Sequence, residues 1–260
     1  MEDLIELAWK AAVASGVLML VVLCGQRAGP LLASIAMTYP FNVGVGFSLM
    51  VLERSDDFMA AAGLAGFALA GGVFSFMTGY VVASPLGGFL KPWLVGVAAW
   101  GGVAAIAVSF PISWPLAIAL AGGGALAAAV LVKKRETPPV QTRGGGTGRW
   151  SASIARAVLG GVIIAVVAVY SKALGPAISG MALAFPTMMS ASLWILNRRF
   201  GDAFAAETVY RSRWALASYT SFVLFMGLLA VPLGDVVAMV VSALIAAAVS
   251  FLVYRINRPA

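Results

Sequence analysis

Two residue pairs, Tyr39-Pro40 and Phe185-Pro186, each fall about ten residues into an apolar stretch that otherwise reads as one continuous helix. A proline in a helix interior removes one backbone hydrogen bond, and its ring clashes with the preceding turn. Ten residues at about 1.5 Å each put the interruption roughly 15 Å deep. In hydrocarbon the freed carbonyl must find a partner or line a cavity, so such breaks mark ligand paths as well as packed kinks. Polar side chains gather around both: Ser34, Thr38, Tyr39 and Asn42 near the first, Thr187, Ser190 and Ser192 near the second. Two further apolar stretches contribute Ser75, Thr78 and Tyr80, and Ser218, Tyr219, Thr220 and Ser221. The candidate solute-binding set is Thr38, Tyr39, Pro40, Asn42, Ser75, Thr78, Phe185, Pro186, Thr187, Ser190, Tyr219 and Ser221. Hydroxyl and amide groups of this kind suit a neutral or weakly polar solute. The same groups also join helices to one another inside membranes.

Other chemistry is poorly provided for. The chain has no histidine, which removes the commonest general base and metal ligand. Its single cysteine, Cys24, excludes an intrachain disulfide framework and gives no metal-ligand spacing. No Walker motif, Gly-rich phosphate loop or nucleophile–base–acid set occurs. The sequence therefore predicts no enzyme activity, no cofactor and no metal. No Asp, Glu, Lys or Arg falls clearly at mid-membrane depth, which disfavours a buried-carboxylate proton antiporter. Glu6, Glu53, Glu207 and Asp235 are expected to be solvated near the interfaces.

The elements that must position these residues follow from composition. Of 260 residues, 62% are hydrophobic and 10% charged, against about 25% charged in ordinary soluble chains. That much apolar surface needs lipid, and a span takes about 20 residues. Nine transmembrane helices are predicted: Leu7–Gly25, Pro30–Leu52, Phe58–Ala83, Trp93–Phe110, Trp114–Val132, Ala155–Ser171, Pro176–Leu196, Trp214–Val231 and Val236–Tyr254. The first has an acidic start and no cleavage site, so it is expected to be retained. With the N-terminus outside, fourteen of the 17 basic residues fall in the cytoplasm, and only Lys10, Arg54 and Lys172 lie outside. This predicts a multi-pass protein of the inner cell membrane with a cytoplasmic C-terminus. The +7 charge thereby sets topology, and no nucleic-acid partner is expected.

An internal repeat appears when the sequence is shifted by 146. Lys10 then falls on Arg156, Gly29-Pro30 on Gly175-Pro176, Tyr39-Pro40 on Phe185-Pro186, Asp56 on Asp202 and Phe58 on Phe204. One gap further on sets Pro85-Leu86-Gly87 on Pro232-Leu233-Gly234. Residues 1–110 thus form a first four-helix repeat and residues 155–260 a second. Residues 111–154 join them as a connector helix and a basic, flexible cytoplasmic linker around Lys133–Ser153. One odd connector reverses the entry direction of the second repeat, giving an inverted 4+1+4 arrangement of the sort used for alternating access. A competing match, Trp93–Lys134 on Trp214–Arg255, would make the repeats parallel. Small-residue pairs such as Gly63-x-x-Gly66, Gly71-Gly72 and Gly101-Gly102 are expected to allow close helix packing, within the chain or in a homodimer.

The segment Gly175-Pro176-Ala177-Ile178-Ser179-Gly180, continuing through Phe185-Pro186-Thr187, Arg199 to Glu207 and Trp214-Ala215-Leu216-Ala217-Ser218-Tyr219, resembles small four-span bacterial membrane proteins of the GlpM type. The resemblance covers about 100 residues from Ala155 onward. The first repeat departs from it, with Tyr39-Pro40-Phe41 in place of Phe-Pro-Thr. It implies two fused four-span units and a link to envelope and exopolysaccharide physiology, without a molecular activity. The expected function is secondary transport of a small neutral or weakly polar solute. The alternatives are a non-transporting subunit of an envelope biosynthesis complex and a passive channel.

Overall fold

The computed structural model describes residues 2–27, 39–132 and 148–256. Among these the chain is all helical, with no strand. In order the helices are α1 (Glu2–Arg27), α2 (Phe41–Met50), α3 (Asp56–Ala83), α4 (Leu90–Ser109), α5 (Trp114–Leu131), α6 (Gly148–Leu183), α7 (Thr187–Phe200), α8 (Asp202–Ser212), α9 (Leu216–Leu233) and α10 (Asp235–Ile256). Short 3-10 turns occupy Ser84–Leu86 and Arg213–Ala215. Among the described residues six stretches are long and apolar enough to cross a bilayer: Asp56–Leu86, Leu90–Ser109, Trp114–Leu131, Ala157–Leu183, Leu216–Leu233 and Asp235–Ile256.

Nine spans are expected from sequence; of the other three, one is interrupted by proline and another lies partly outside the described residues. The expected span Pro30–Leu52 contains α2, which has only ten residues and begins after Pro40. Residues 28–38, with Gly29-Pro30, Ser34 and Thr38, lie outside the described residues, as do residues 133–147 of the linker. The expected span Pro176–Leu196 is cut at Phe185-Pro186, leaving residues 176–183 on one side and α7 on the other. α6 starts at Gly148, ahead of the expected Ala155, and changes direction at Gly175 (φ 77°, ψ 166°), which only glycine adopts comfortably. The stretch Asn197–Arg213, expected as a plain connector, contains the helix α8.

Two compact units emerge, and neither coincides with a sequence half. The first comprises residues 1–67, 153–184 and 214–260; the second comprises residues 68–152 and 185–213. In the first unit Phe47 of α2 meets Phe222 of α9 edge-on, at 5.8 Å between centroids. Met50, Met59 and Met226 are wholly buried in the same core. Gly63 of α3 lies so close to the Gly227 backbone of α9 that a methyl group would have no room. α9 and α10 form a hairpin joined by serines: Ser218 donates to the Ala246 carbonyl, and Ser250 to the Ser218 hydroxyl, both at 2.8 Å.

In the second unit, Gly71 of α3 abuts the backbone of α5 at Leu120 and Gly124, again without space for a side chain. Such close backbone approach maximises van der Waals contact between the helices. Phe76 and Tyr80, one turn apart on α3, stack at 6.5 Å. α3 is the most enclosed of the six long apolar stretches, 67% buried, against 17% for α4 and 22% for α5. The expectation of close packing thus holds for Gly63 and Gly71, while Gly101 and Gly102 face open space.

Candidate functional site: two proline turns

Each break is built from the same local geometry. Pro40 has φ −77° and ψ 56°, and Pro186 has φ −77° and ψ 54°. At the first, the Phe41 amide donates back to the Tyr39 carbonyl at 2.8 Å; at the second, the Thr187 amide donates to the Phe185 carbonyl at 2.7 Å. A three-residue ring closed in this way, with a central residue of negative φ and positive ψ, is an inverse γ-turn. The sequence builds it because proline fixes φ and excludes the preceding residue from helical angles. Each proline then starts a new helix: its carbonyl receives the Gly44 amide at 2.8 Å in one case and the Ser190 amide at 2.9 Å in the other.

The cost falls on the carbonyls upstream of the second break. Pro186 has no N–H to give the Ala182 carbonyl, and the Thr187 N–H that would serve Leu183 is engaged with Phe185. Downstream, the first amides of α7 lie at the positive end of a helix. Free amides at a helix start can bind a polar group of a solute without any charged side chain.

The side chains predicted to bind solute take three different positions. Around the second break, Phe185 sits edge-on to Trp100 at 5.0 Å, Pro186 is buried, and the Ser190 hydroxyl donates to the Pro186 carbonyl at 2.8 Å. Thr187 reaches the Phe185 carbonyl at 3.4 Å. Around the first break, the Tyr39 hydroxyl donates to the Ala243 carbonyl of α10 at 3.3 Å, Pro40 is buried, and Asn42 is partly exposed at the start of α2. The rest lie away from both turns in sequence. Tyr219 is buried and donates to the Gly66 carbonyl at 2.9 Å; Thr78 and Ser221 donate to their own helices at Phe74 and Ser218. Ser75 is partly exposed on α3. Thr38 lies outside the described residues.

The chain matches no protein-family model, no curated protein and no solved structure. What bears on its function is therefore its own geometry.

Three residues take places in the structure that were not evident from sequence. Trp100 of α4 forms one wall of the second break, but one more aromatic residue inside an unbroken apolar run gives no signal. Ser179 is fully buried and holds the Gly175 bend, donating to the Gly175 carbonyl at 2.8 Å. Lys10, expected at an outer interface, is fully buried and pairs with Glu6 Oε1 at 2.6 Å and Glu53 Oε2 at 2.7 Å. In addition Glu207, expected to be solvated, is only 5% exposed, because α8 packs its Ala205, Ala206 and Val209 face inward. Among the described residues no group of His, Cys, Asp or Glu is arranged to hold a metal ion.

Proposed function

We propose that this protein is a secondary transporter of a small neutral or weakly polar solute, working by alternating access between two inverted halves. The observation that carries the reading is the pair of proline breaks, whose backbone angles are nearly the same at two positions that the repeat makes equivalent. Broken helices placed in corresponding positions of two repeats are the usual site of solute binding in such carriers. Further correspondence supports the offset. Asp56 accepts the Asp235 amide and Asp202 accepts the Gly88 amide, each at 2.9 Å. Asp56 corresponds to Asp202, and Gly88 to Asp235, so the two caps are equivalent under the same alignment. The positive-φ glycines Gly87 and Gly234 correspond too, whereas the competing parallel match aligns neither pair.

On this reading α8, the 3-10 turn at Arg213–Ala215 and α9 together are the counterpart of α3 and its terminal 3-10 turn. Nine membrane passages then consist of α1, the two broken helices, α3, α4, α5, the first part of α6, the α8–α9 unit and α10. The N-terminus lies outside and the C-terminus in the cytoplasm. Two fused units of GlpM type fit the same plan.

The test is counterflow in proteoliposomes against a panel of labelled polyols, sugars and small amides. Asn42→Ala and Ser190→Ala are expected to change the uptake of the transported member while leaving membrane insertion intact. Wild-type flux that both variants reproduce would remove these residues from the site, and no flux of any member would remove the transporter reading. In that event the second reading gains: Gly101, Gly102, Gly122 and Gly123 on α4 and α5 have no neighbour within 4 Å of an added methyl, a surface able to receive a partner helix of an envelope biosynthesis complex. Stoichiometric co-purification of that partner would establish it.

A further inference from the structure

The solute path makes no use of Lys10, yet among the described residues this is the most completely enclosed charge in the first compact unit, with 0% exposure. Its ammonium donates to Glu6 Oε1, one turn earlier on α1, and to Glu53 Oε2 in the turn that follows α2. The neighbouring Arg54 reaches α6, with Nε donating to the Ser171 hydroxyl at 2.8 Å and Nη1 to the Glu53 carbonyl at 3.0 Å. Ser171 in turn donates to the Ala168 carbonyl at 2.7 Å. The C-terminal end of α2 is therefore tied on one side to α1 and on the other to α6.

The opposite end of α2 is the γ-turn at Pro40. A ten-residue helix with a break at one end is held only by its side contacts and whatever fixes its other end. Those side contacts include Gly46 against Leu183 of α6 and a Ser48 hydroxyl 3.3 Å from Met239 Sδ of α10. Enclosing an ammonium is costly unless it is paired, and withdrawing one partner leaves an uncompensated charge. Both carboxylates remain about one-third exposed, so the triad has a wet face from which it can open. Its strength is concentrated in two short contacts, and its failure would release one specific element.

We propose that the Lys10–Glu6–Glu53 triad is a latch that fixes the end of half-helix α2 to α1, and that opening it is the step that frees α2 to move. What that movement accomplishes rests on the transporter reading; the existence of the latch does not. The experiment is hydrogen–deuterium exchange on the purified full chain in lipid nanodiscs. In Lys10→Met, backbone exchange across residues 41–54 is expected to rise at least about tenfold, with the α9–α10 hairpin unchanged. Glu53→Gln, which leaves Lys10 its Glu6 partner, is expected to give a smaller rise in the same segment. It decides the matter alone if Lys10→Met does not fold. The exchanged pair Lys10→Glu/Glu53→Lys is expected to restore protection. Unchanged exchange in α2, or an equal rise throughout the chain, would overturn the latch. A loosened α2 in a protein that carries no solute would support the latch and sink the transporter. Altered flux with α2 still protected would do the reverse.

Discussion

The backbone N–H of Asp235 donates to Asp56 Oδ1 at 2.9 Å, joining residues 179 apart in sequence. Asp235 is the first residue of α10, where no carbonyl precedes the helix to take its amide. Asp56 opens α3, so one carboxylate stands at the start of two helices and favours both through their dipoles. The bond between Asp202 and the Gly88 amide repeats this just ahead of α4, and there the Asn197 side-chain amide, 2.6 Å from Asp202 Oδ1, fixes the carboxylate.

Asp56→Ala is expected to raise amide exchange in the first turn of α10 by roughly fivefold, the size of a lost helix cap. The first turn of α4 should not respond. Asp202→Ala should show the mirror pattern. Exchange that rises at both turns in either variant would mean that the two carboxylates do not act separately.

Pro186→Ala supplies the missing N–H to the Ala182 carbonyl. If proline chemistry makes the break, residues 185–188 should become helical and their exchange should slow by about tenfold, since an interior proline costs a helix about 3 kcal/mol. An unchanged exchange rate would show that packing against Trp100 holds the γ-turn instead.

How much of this was legible in advance depended on the kind of force involved. The helical class, the long apolar elements and the special character of Pro40 and Pro186 could be read because proline's effect is local. Gly87 and Gly234 could be read as turns for the same reason. What could not be read is which side chains meet across helices. The hydroxyls of Thr78, Ser190 and Ser221 look like free solute ligands in the sequence, whereas each also bonds a carbonyl three or four residues back, a local competition that polarity alone does not reveal. Lys10 looked interfacial because burial of a charge depends on two glutamates, one of them 43 residues away. α8 was missed because it has only eleven residues and little net apolarity, so a search for membrane-length apolar runs reads it as a connector although its apolar residues follow a helical period.

Tyr219→Phe removes the hydrogen bond to the Gly66 carbonyl while keeping the ring. The carbonyl keeps its helical donor, so only one lone pair is left idle. The expected loss is about 0.6 kcal/mol, the average for interhelical bonds in membranes, measured by reversible unfolding in mixed micelles. Gly71→Val, by contrast, forces a branched side chain into the backbone of α5 and should cost about 2–3 kcal/mol or more. A larger effect from the tyrosine change than from the glycine change would contradict the packing described for α3.

The proposed inverted arrangement makes a prediction about sides. Asp56–Leu86 has 31 residues, about 46 Å at 1.5 Å each, more than the roughly 30 Å of hydrocarbon. Its two ends should therefore face opposite compartments. Asp57 and Ala203 occupy equivalent positions in the two repeats, each one residue beyond the aspartate that caps a turn. In inverted repeats equivalent residues lie on opposite sides of the membrane, and in parallel repeats they lie on the same side. In a Cys24→Ser background, Asp57→Cys should react with a membrane-impermeant maleimide in intact cells, while Ala203→Cys and Lys91→Cys should react only after the membrane is opened. Phe110→Cys, 60% exposed at the end of α4, should follow Asp57→Cys. Labelling of Asp57→Cys and Ala203→Cys from one side would make the repeats parallel, and alternating access by exchange of inverted halves would no longer follow from the two proline breaks.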